Sequence, residues 1–304
     1  MFATIITDYF SMSKTLGYIH SLLKNAIGQQ IIIIVDNSME HQGINFLTQT
    51  GINFSEVPWE DTEHLFKFSV NSQECFLVEA AQNKGYAGGN NLGARIAKSL
   101  SKAEFLLFSN NDLRFPEKID FSIFAQQFSK HPKVGIIGPN IRGKNGSQQN
   151  PRKEMGFFSQ MIAWDVNIML LRGIFNRWVW NLDQRASDSK ITGWVSGSFM
   201  VVRQDIFNLV GGFDETPFLY AEEMILSERF RKNGYQTYYY EPIKIIHAHQ
   251  GANPSKRQRL WNHDSKRYYY QHYKYVNPVA LKISDWVFKM VETIYARRHP
   301  QQGK

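Results

Sequence analysis

The residues best suited to chemistry in this 304-residue chain are polar groups that directly follow apolar runs. Ser109-Asn110-Asn111-Asp112 follows the apolar residues 105–108, a run typical of a strand buried on both faces. Ligands of open α/β sheets bind beyond the carboxyl ends of strands, so we expect this segment at a functional edge. A carboxylate flanked by amides could hold a divalent cation shared with a diphosphate. The alternative is a structural turn, because Asn and Asp are favoured turn residues.

Two further groups of candidates follow later in the chain. Glu222 and Glu223 are adjacent carboxylates before a predicted helix over residues 224–232, and one of them could act as a general base. Acidic residues are also common in first helical turns for dipole reasons, so a structural role stays open. His247 and His249 alternate at the end of a predicted strand and are expected to share a face. They could contact a metal or a phosphate, or simply be hydrogen-bonded.

Short apolar runs alternate with helical patterns along the chain, which predicts an α/β fold with a mostly parallel central sheet flanked by helices. The predicted strands are residues 2–7, 30–35, 76–78, 105–108, 134–137, 193–203, 237–240 and 243–246. The predicted helices are residues 13–23, 94–100, 119–128, 205–210 and 224–232. The element ends would then bring the candidate residues to one crevice.

A glycine-rich block covers residues 83–93, reading Asn-Lys-Gly-Tyr-Ala-Gly-Gly-Asn-Asn-Leu-Gly. It is not a phosphate-binding Walker loop, since no Gly-Lys-Ser/Thr follows, and it lies too late in the chain for a dinucleotide fingerprint. Its small residues would let the backbone approach a nucleotide closely. The structural alternative is a tight loop-to-helix turn.

Composition and charge set limits on the class of protein. A hydrophobic content of 43% and a charged content of 20% are typical of a globular chain. The single cysteine, Cys75, excludes a disulfide framework. The N-terminal residues lack the pattern of a signal peptide, and no run is long and apolar enough to predict a transmembrane span.

The net charge of +8 comes entirely from residues 256–304, which hold 11 Lys/Arg and 3 Asp/Glu. Aromatic residues are interleaved with these basic residues, and apolar residues recur at helical spacing over 283–294. This pattern predicts either a helix docked on the body or an interfacial helix on anionic lipid. A second apolar stretch, residues 156–180, is predicted to be helical and to pack on the body, with an acceptor or lipid contact as the alternative.

Several blocks in this order resemble the family 2 glycosyltransferases, inverting enzymes of the GT-A fold, and in particular their bacterial rhamnosyltransferase-like branch. The blocks are residues 35–38, 83–91, 109–112, 193–203 with 211–214, 218–223 and 246–247. The resemblance implies a GT-A domain over residues 1–251, with an acceptor-side insertion at 144–190, and a helical extension over 252–304. It also implies a glycosyltransferase activity of the hexosyltransferase class.

The resemblance implies roles for individual residues. Glu223 matches the catalytic base, with Glu222 beside it. Asp112 and His247 would bind Mg²⁺ or Mn²⁺ bridging the donor diphosphate. Contacts with the nucleotide-sugar are implied for Thr7, Asp36, Asn83, Gly85, Gly89, Asn90, Asn111, Asp112, Trp194, Ser196 and Gly197.

The implied substrates are a dTDP-rhamnose or UDP-hexose donor and a saccharide or lipid-linked saccharide acceptor, used in cell-surface polysaccharide synthesis. We expect a cytoplasmic protein without a nucleic-acid partner, whose basic extension is a candidate contact with the inner face of the cell membrane. Two departures from the family pattern stand out, the Glu222-Glu223 pair in place of Glu-Asp and Ile225 in place of an acid. They leave open a catalytically inactive binding module, and the basic aromatic extension leaves open a nucleic-acid-binding protein.

Overall fold

Helices flank a large β-sheet in the computed structural model, which describes residues 1–59, 64–169, 171, 186–248 and 254–298. The strands are β1 Phe2–Asp8, β2 Ala26–Ile27, β3 Gln30–Asp36, β4 Phe54–Val57, β5 Leu65–Val70, β6 Gln73–Glu79, β7 Phe105–Ser109, β8 Leu113–Arg114, β9 Ile119–Asp120, β10 Val134–Gly143, β11 Lys190–Thr192, β12 Phe199–Arg203 and β13 Gln236–His247. The helices are α1 Met12–Asn25, α2 Gln42–Gln49, α3 Gly85–Leu100, α4 Ser122–Lys130, α5 Trp164–Met169, α6 Gln204–Leu209, α7 Glu222–Lys232, α8 Lys256–His272 and α9 Pro278–Arg298, with a π-helical turn at Ser159–Ala163 before α5.

The sheet order is β11-β13-β10-β12-β7-β1-β3-β6-β5-β4, and β8 pairs with the end of β13. Its centre, β7-β1-β3-β6, is parallel, and so is the β10–β13 pair. The outer pairs β4–β5, β5–β6 and β11–β13, and both pairings of β12, are antiparallel. The chain leaves β1 towards β3 on one side, and β7 lies on the other, so the carboxyl ends of β1 and β7 form a topological switch point. The predicted α/β class is confirmed.

Two apolar clusters cover the two faces of the sheet. Alternate residues of β3 divide between them, with Ile32 and Ile34 in one cluster and Ile33 and Val35 in the other. The apolar run of β7 divides in the same way. Burial on both faces explains why these strands are continuously apolar, and it fixes the positions of the polar residues that follow them.

The glycine-rich block is helical from Gly85 onwards, which corrects the expectation of a loop. A side chain at Gly93 would place its Cβ 2.4 Å from Ile5 Cγ2, and one at Gly89 would come 2.7 Å from Thr7 Cγ2. The glycines therefore allow α3 to pack closely on β1, and this packing outweighs their low helix propensity.

Other element boundaries also differ from the sequence prediction. Residues 236–247 form one strand instead of two, because β13 pairs with β10 along its whole length across a local irregularity. Helix α2 and strands β4 and β5 were not predicted. Within the apolar stretch 156–180, residues 170 and 172–180 lie outside the described residues, as does His249.

The C-terminal extension packs on the body. Tyr269 and Tyr270 of α8 share a buried cluster with Met224 and Ile225 of α7 and with Met161. Arg259 of α8 pairs with Glu292 of α9 at 2.6 Å, so the two helices are also joined to each other. Among the described helices, none combines the length and the apolar character that crossing a bilayer requires.

Candidate active site

Asp112, which precedes β8, and His247, the last residue of β13, lie in contact at the carboxyl ends of the strands. Strand β8 pairs antiparallel with the end of β13, which sets Leu113 opposite His247, and the Ala248 N–H donates to the Asp112 carbonyl at 2.7 Å. As a result Asp112 Oδ1 is 3.0 Å from His247 Nε2. The two predicted metal ligands are therefore brought together although 135 positions separate them in the chain.

The donor atoms of His247 and Asp112 are of the kind that binds a divalent cation, and Lys14 Nζ also lies 3.6 Å from Asp112 Oδ2. Nδ1 lies 2.8 Å from Gln149 Oε1, an amide oxygen that can only accept, so Nδ1 carries a proton. Nε2 then faces a carboxylate oxygen at 3.0 Å, and either a proton or a metal ion between these two atoms satisfies both. Imidazole and carboxylate are suitable ligands for Mn²⁺, and carboxylate for Mg²⁺, so the donor set fits the predicted ion. Across the described residues, no cluster of three or more His, Cys, Asp or Glu side chains could complete such a site.

Asn111 is tied to the start of α1 by a buried carboxylate that the sequence reasoning missed. Its Nδ2 donates to Ser11 Oγ at 2.8 Å and to Thr15 Oγ1 at 2.7 Å, and both hydroxyls donate to Asp8 Oδ1. Ser11 therefore bonds to Asp8 instead of capping α1 with its side chain. The available signal was the position of Asp8 at the end of an apolar run, where it forms the last residue of β1.

Glu222 and Glu223 line a cavity of about 380 Å³ whose strand side also includes His247. The two glutamates open α7, and Tyr220 and Ala221 before them adopt φ values of 74° and 65°. Consecutive left-handed residues without glycine are strained, and such strain is typical of functional sites. The backbone at this point thus turns both carboxylates towards the cavity that His247 shares.

Glu223 is held by the segment before β12. Its Oε1 accepts a hydrogen bond from the Gly197 N–H at 2.8 Å, and the Gly197 carbonyl accepts one from Tyr86 Oη at 2.7 Å. A Cβ at Gly197 would lie 2.8 Å from Glu223 Oε1 and 2.7 Å from Tyr86 Oη. Glycine at this position is therefore required for the close approach.

Burial sets the protonation of both acids. It raises the pKa of Glu223, whereas the Gly197 N–H and the charge of Arg152 act in the opposite direction. Burial and the neighbouring Glu223 raise the pKa of Glu222 to about 8. At pH 7 Glu222 is therefore mostly neutral, and the Gly197 N–H and the Arg152 charge, which favour the ionised form of Glu223, make Glu223 the better candidate for accepting a proton.

Two cations that the sequence prediction did not assign to the site, Arg152 and Lys266, also line the cavity. Arg152 stacks over the Trp194 ring at 5.3 Å, and burial lowers its pKa to about 10. Lys266 of α8 lies over the Trp164 ring at 4.7 Å. No spacing in the sequence links these residues to Glu223, because they come from a loop and from the C-terminal extension.

Three predicted sugar or acceptor contacts lie on the cavity wall, namely Trp194, Ser196 and Gly197. Trp194 forms a β-bridge with Arg152, with N···O distances of 3.1 and 3.2 Å. The Ser196 N–H donates to Asn150 Oδ1 at 2.8 Å. The structure thus places these three residues on the same cavity as Glu223, and their roles stay predictions.

The predicted nucleotide contacts from β1, β3 and α3 lie outside the lining of this cavity. Asp36 is 1% exposed, and its two oxygens accept from the Ser38 and Gly43 N–H groups at 2.9 and 2.7 Å. Asn90 is 1% exposed and donates to the Tyr86 carbonyl of its own helix. A nucleotide contact of these two side chains does not fit this placement, because their polar atoms are buried and engaged within the protein.

The remaining contacts from these elements surround the start of α3. Asn83 Oδ1 accepts from the Gly85 N–H at 2.9 Å, and Gly85 adopts a φ of 70°. Gly89 packs on Thr7 and also lines a second cavity of about 240 Å³. Thr7, Asn83, Gly85 and Gly89 thus lie around the N-terminal turns of α3, and a nucleotide contact stays a prediction for these four residues.

Ile225, which departs from the family pattern, is fully buried. It packs in the cluster that joins α7 to α8, together with Tyr269 and Leu281. Apolar contact with the C-terminal extension explains why this position carries no acid.

Comparison with known proteins agrees with the resemblance. No protein-family model matches the chain. An N-acetylglucosaminyl-diphospho-decaprenol L-rhamnosyltransferase of Mycobacterium tuberculosis is 30% identical over 161 residues, which cover 50% of each chain. A low-salt glycan biosynthesis hexosyltransferase of Haloferax volcanii is 25% identical over 176 residues, which cover 57% of this chain and 52% of the relative. The chain thus spans about half the length of the curated relatives it matches.

Solved structures show the same fold. GalNAc-T7 with UDP, GalNAc and Mn²⁺ superposes with a TM-score of 0.59 at 10% identity, over 90% of this chain and 49% of that chain. The mannosyltransferase of Pyrobaculum calidifontis in complex with GDP-Man and Mn²⁺ gives a TM-score of 0.52 at 12% identity, over 98% of this chain and 75% of that chain. The predicted GT-A fold is confirmed. The relatives' names confirm the resemblance to rhamnosyltransferase-like family 2 glycosyltransferases.

Proposed function

We propose that the protein is an inverting glycosyltransferase that moves a sugar from a nucleotide-diphospho-sugar to a hydroxyl of a lipid-linked saccharide. The observation that carries the proposal is the placement of His247, which contacts Asp112, and of Glu223 on one cavity. The similarity to a rhamnosyltransferase that is named for a diphospho-decaprenol acceptor supports the acceptor class. The donor is dTDP-rhamnose or a UDP-hexose.

The chemistry follows from the two sides of this cavity. A divalent cation held by Asp112 and His247, with donor oxygens completing its ligands, would stabilise negative charge on the leaving diphosphate. Glu223 takes the proton of the acceptor hydroxyl as that oxygen bonds to the anomeric carbon. The Gly197 N–H keeps the carboxylate oriented during this step. A single displacement needs one carboxylate base and inverts the anomeric centre.

The direct test is the release of nucleoside diphosphate from a panel of dTDP-rhamnose, UDP-glucose, UDP-galactose and UDP-N-acetylglucosamine. We expect release with one donor in the presence of Mn²⁺ and a diphospholipid-linked saccharide, no release with EDTA, and an inverted anomeric signal in the NMR spectrum of the product. Donor binding without turnover would instead favour the inactive binding module. The absence of both binding and turnover for every donor would refute the proposal.

The proposed location is the cytoplasm, with α9 contacting the inner face of an anionic membrane. One face of α9 exposes Val279, Ile283, Trp286 and Met290 at helical spacing, and Trp286 is 64% exposed. Lys282 and Lys289, both exposed, lie beside this face. Apolar side chains flanked by lysines are typical of interfacial helices. In a flotation assay with anionic vesicles, less protein should be recovered in the vesicle fraction after the double substitution Trp286→Ser and Ile283→Ser. Equal recovery of this variant and the wild type, or no recovery of the wild type, would contradict this location.

A further inference from the structure

The two glutamates of the site follow a strained turn. Tyr220 and Ala221 both adopt the left-handed conformation, which the contact of Cβ with the backbone disfavours roughly 5- to 30-fold for each L-residue. A residue keeps such a conformation only where the surrounding contacts impose it. Glu222 and Glu223 come next in the chain and open α7, so the directions of their side chains depend on the contacts that hold this turn.

Helix α8 contacts the segment just before the turn. Ser265 is 4% exposed, and its Oγ donates to the Leu219 carbonyl at 2.8 Å. One helical turn earlier on the same face of α8, the centre of the Trp261 ring lies 4.8 Å from that of Phe218. A serine within a helix commonly bonds to a carbonyl of its own helix, whereas Ser265 bonds to a carbonyl 46 positions earlier in the chain. This hydroxyl therefore joins α8 to the residue that precedes the left-handed pair.

The C-terminal extension also contacts both ends of the segment that contains the turn. At its start, Asp214 Oδ2 accepts from Tyr268 Oη at 3.0 Å and from Tyr273 Oη at 2.6 Å. At its end, Ala221 is 8% exposed and shares a buried apolar cluster with Tyr269 of α8. The extension is thus in contact with the chain before the turn and within it.

We propose that Ser265 is a positioning residue for Glu223. Its bond to the Leu219 carbonyl keeps residues 220–221 left-handed. The turn in this conformation holds the Glu223 carboxylate at the Gly197 N–H. The extension thereby takes part in catalysis, with Ser265 acting only through the turn. This inference rests on the proposed function, in which Glu223 accepts the proton of the acceptor hydroxyl.

The test compares two buried serines. Ser284 of α9 is fully buried and donates to the Leu281 carbonyl of its own helix at 2.8 Å, so Ser284→Ala removes the same group and leaves the bond to Leu219 in place. We expect Ser265→Ala to lower kcat roughly 5- to 30-fold, the cost of one left-handed residue, while both KM values stay within about threefold. Its acid limb of kcat/KM should move to higher pH, because loss of the Gly197 N–H raises the pKa of Glu223. Ser284→Ala should keep the wild-type kcat and acid limb.

Glycine at the turn provides a rescue. Glycine adopts the left-handed conformation without the Cβ penalty, so adding Ala221→Gly to Ser265→Ala should raise kcat at least about threefold. Urea unfolding of the same variants needs no substrate. Ala221→Gly should favour folding more in the wild type than in Ser265→Ala, by roughly 5- to 30-fold in the folding equilibrium constant, because only the wild type holds the strain that glycine removes. Ser265→Cys, a similar side chain with a weaker donor, serves as the second variant should Ser265→Ala not fold.

Other outcomes overturn the inference. Equal kcat losses in Ser265→Ala and Ser284→Ala would show that any loosening of the extension has this effect. An unchanged kcat in Ser265→Ala, or no rescue by Ala221→Gly, would exclude Ser265 from this role, and a raised KM with an unchanged kcat would assign it to substrate binding. Additive effects of Ser265→Ala and Ala221→Gly in urea would refute the link between them, whether or not the protein transfers sugar. No turnover in the wild type, with these two substitutions coupled in urea, would refute the proposed function and leave the link standing.

Discussion

Replacement by glutamine should strongly lower kcat at Glu223 and leave kcat almost unchanged at Glu222. Glu223→Gln removes the group that accepts the proton, and loss of a well-placed general base costs about 10²- to 10⁴-fold in rate, or about 3–5 kcal/mol of barrier. Glu222 has a pKa of about 8, so roughly one molecule in ten carries its charge at pH 7. Glu222→Gln therefore alters the charge of few molecules, and we expect kcat to stay within about threefold of the wild type.

The same pKa predicts an effect on stability. The folded-state pKa of Glu222 lies above the ordinary carboxyl value of 4.5, so its ionisation opposes folding, and stability is lost as the pH rises from about 4.5 to 8. At pH 7 this cost reaches up to about 3 kcal/mol, because one pKa unit corresponds to about 1.4 kcal/mol. Glu222→Gln should raise the free energy of unfolding, with a gain that is larger at pH 7 than at pH 5.

Urea unfolding at pH 5 and pH 7 and the steady-state release of nucleoside diphosphate measure the two effects. The acid limb of wild-type kcat/KM should lie above pH 4.5, since Glu223 must be ionised and burial raises its pKa. A Glu223→Gln variant that keeps more than a tenth of the wild-type kcat would refute the assignment of the base. Equal rate losses in both variants would show that the carboxylates act as one unit.

Three further changes test the surroundings of the site. Gly197→Ala places a methyl group 2.8 Å from Glu223 Oε1, so kcat should fall at least 10-fold, and an unchanged kcat would refute the close contact. Asp112→Asn removes a ligand charge, so the Mn²⁺ concentration for half-maximal turnover should rise at least 10-fold, and an unaltered Mn²⁺ titration would exclude Asp112 as a ligand. Ile225→Asp buries a carboxylate in an apolar cluster and should cost about 3 kcal/mol or more in urea unfolding, whereas the exposed control Leu209→Asp should cost little.

Much of the sheet could be predicted because its signals are local. A strand buried on both faces must be apolar throughout, so β1, β3 and β7 were placed within one residue of their observed ends. The glycines of α3 misled the prediction, since their low helix propensity is local whereas their packing on Ile5 and Thr7 is not. Strands β4 and β5 were missed because their sequences are only partly apolar and β4 lies at the sheet edge.

The sequence by itself determined which residues could act, because polar groups at the ends of apolar strands are a local signal that marks Asp112 and His247. It also marked the Glu222-Glu223 pair before a predicted helix, and the family resemblance selected Glu223 from this pair. The tertiary structure decided that β8 sets His247 against Asp112, that Gly197 holds Glu223, and that Lys266 reaches the same cavity from α8. These contacts join positions far apart in the chain, and pKa values depend on burial, which only the packed fold creates.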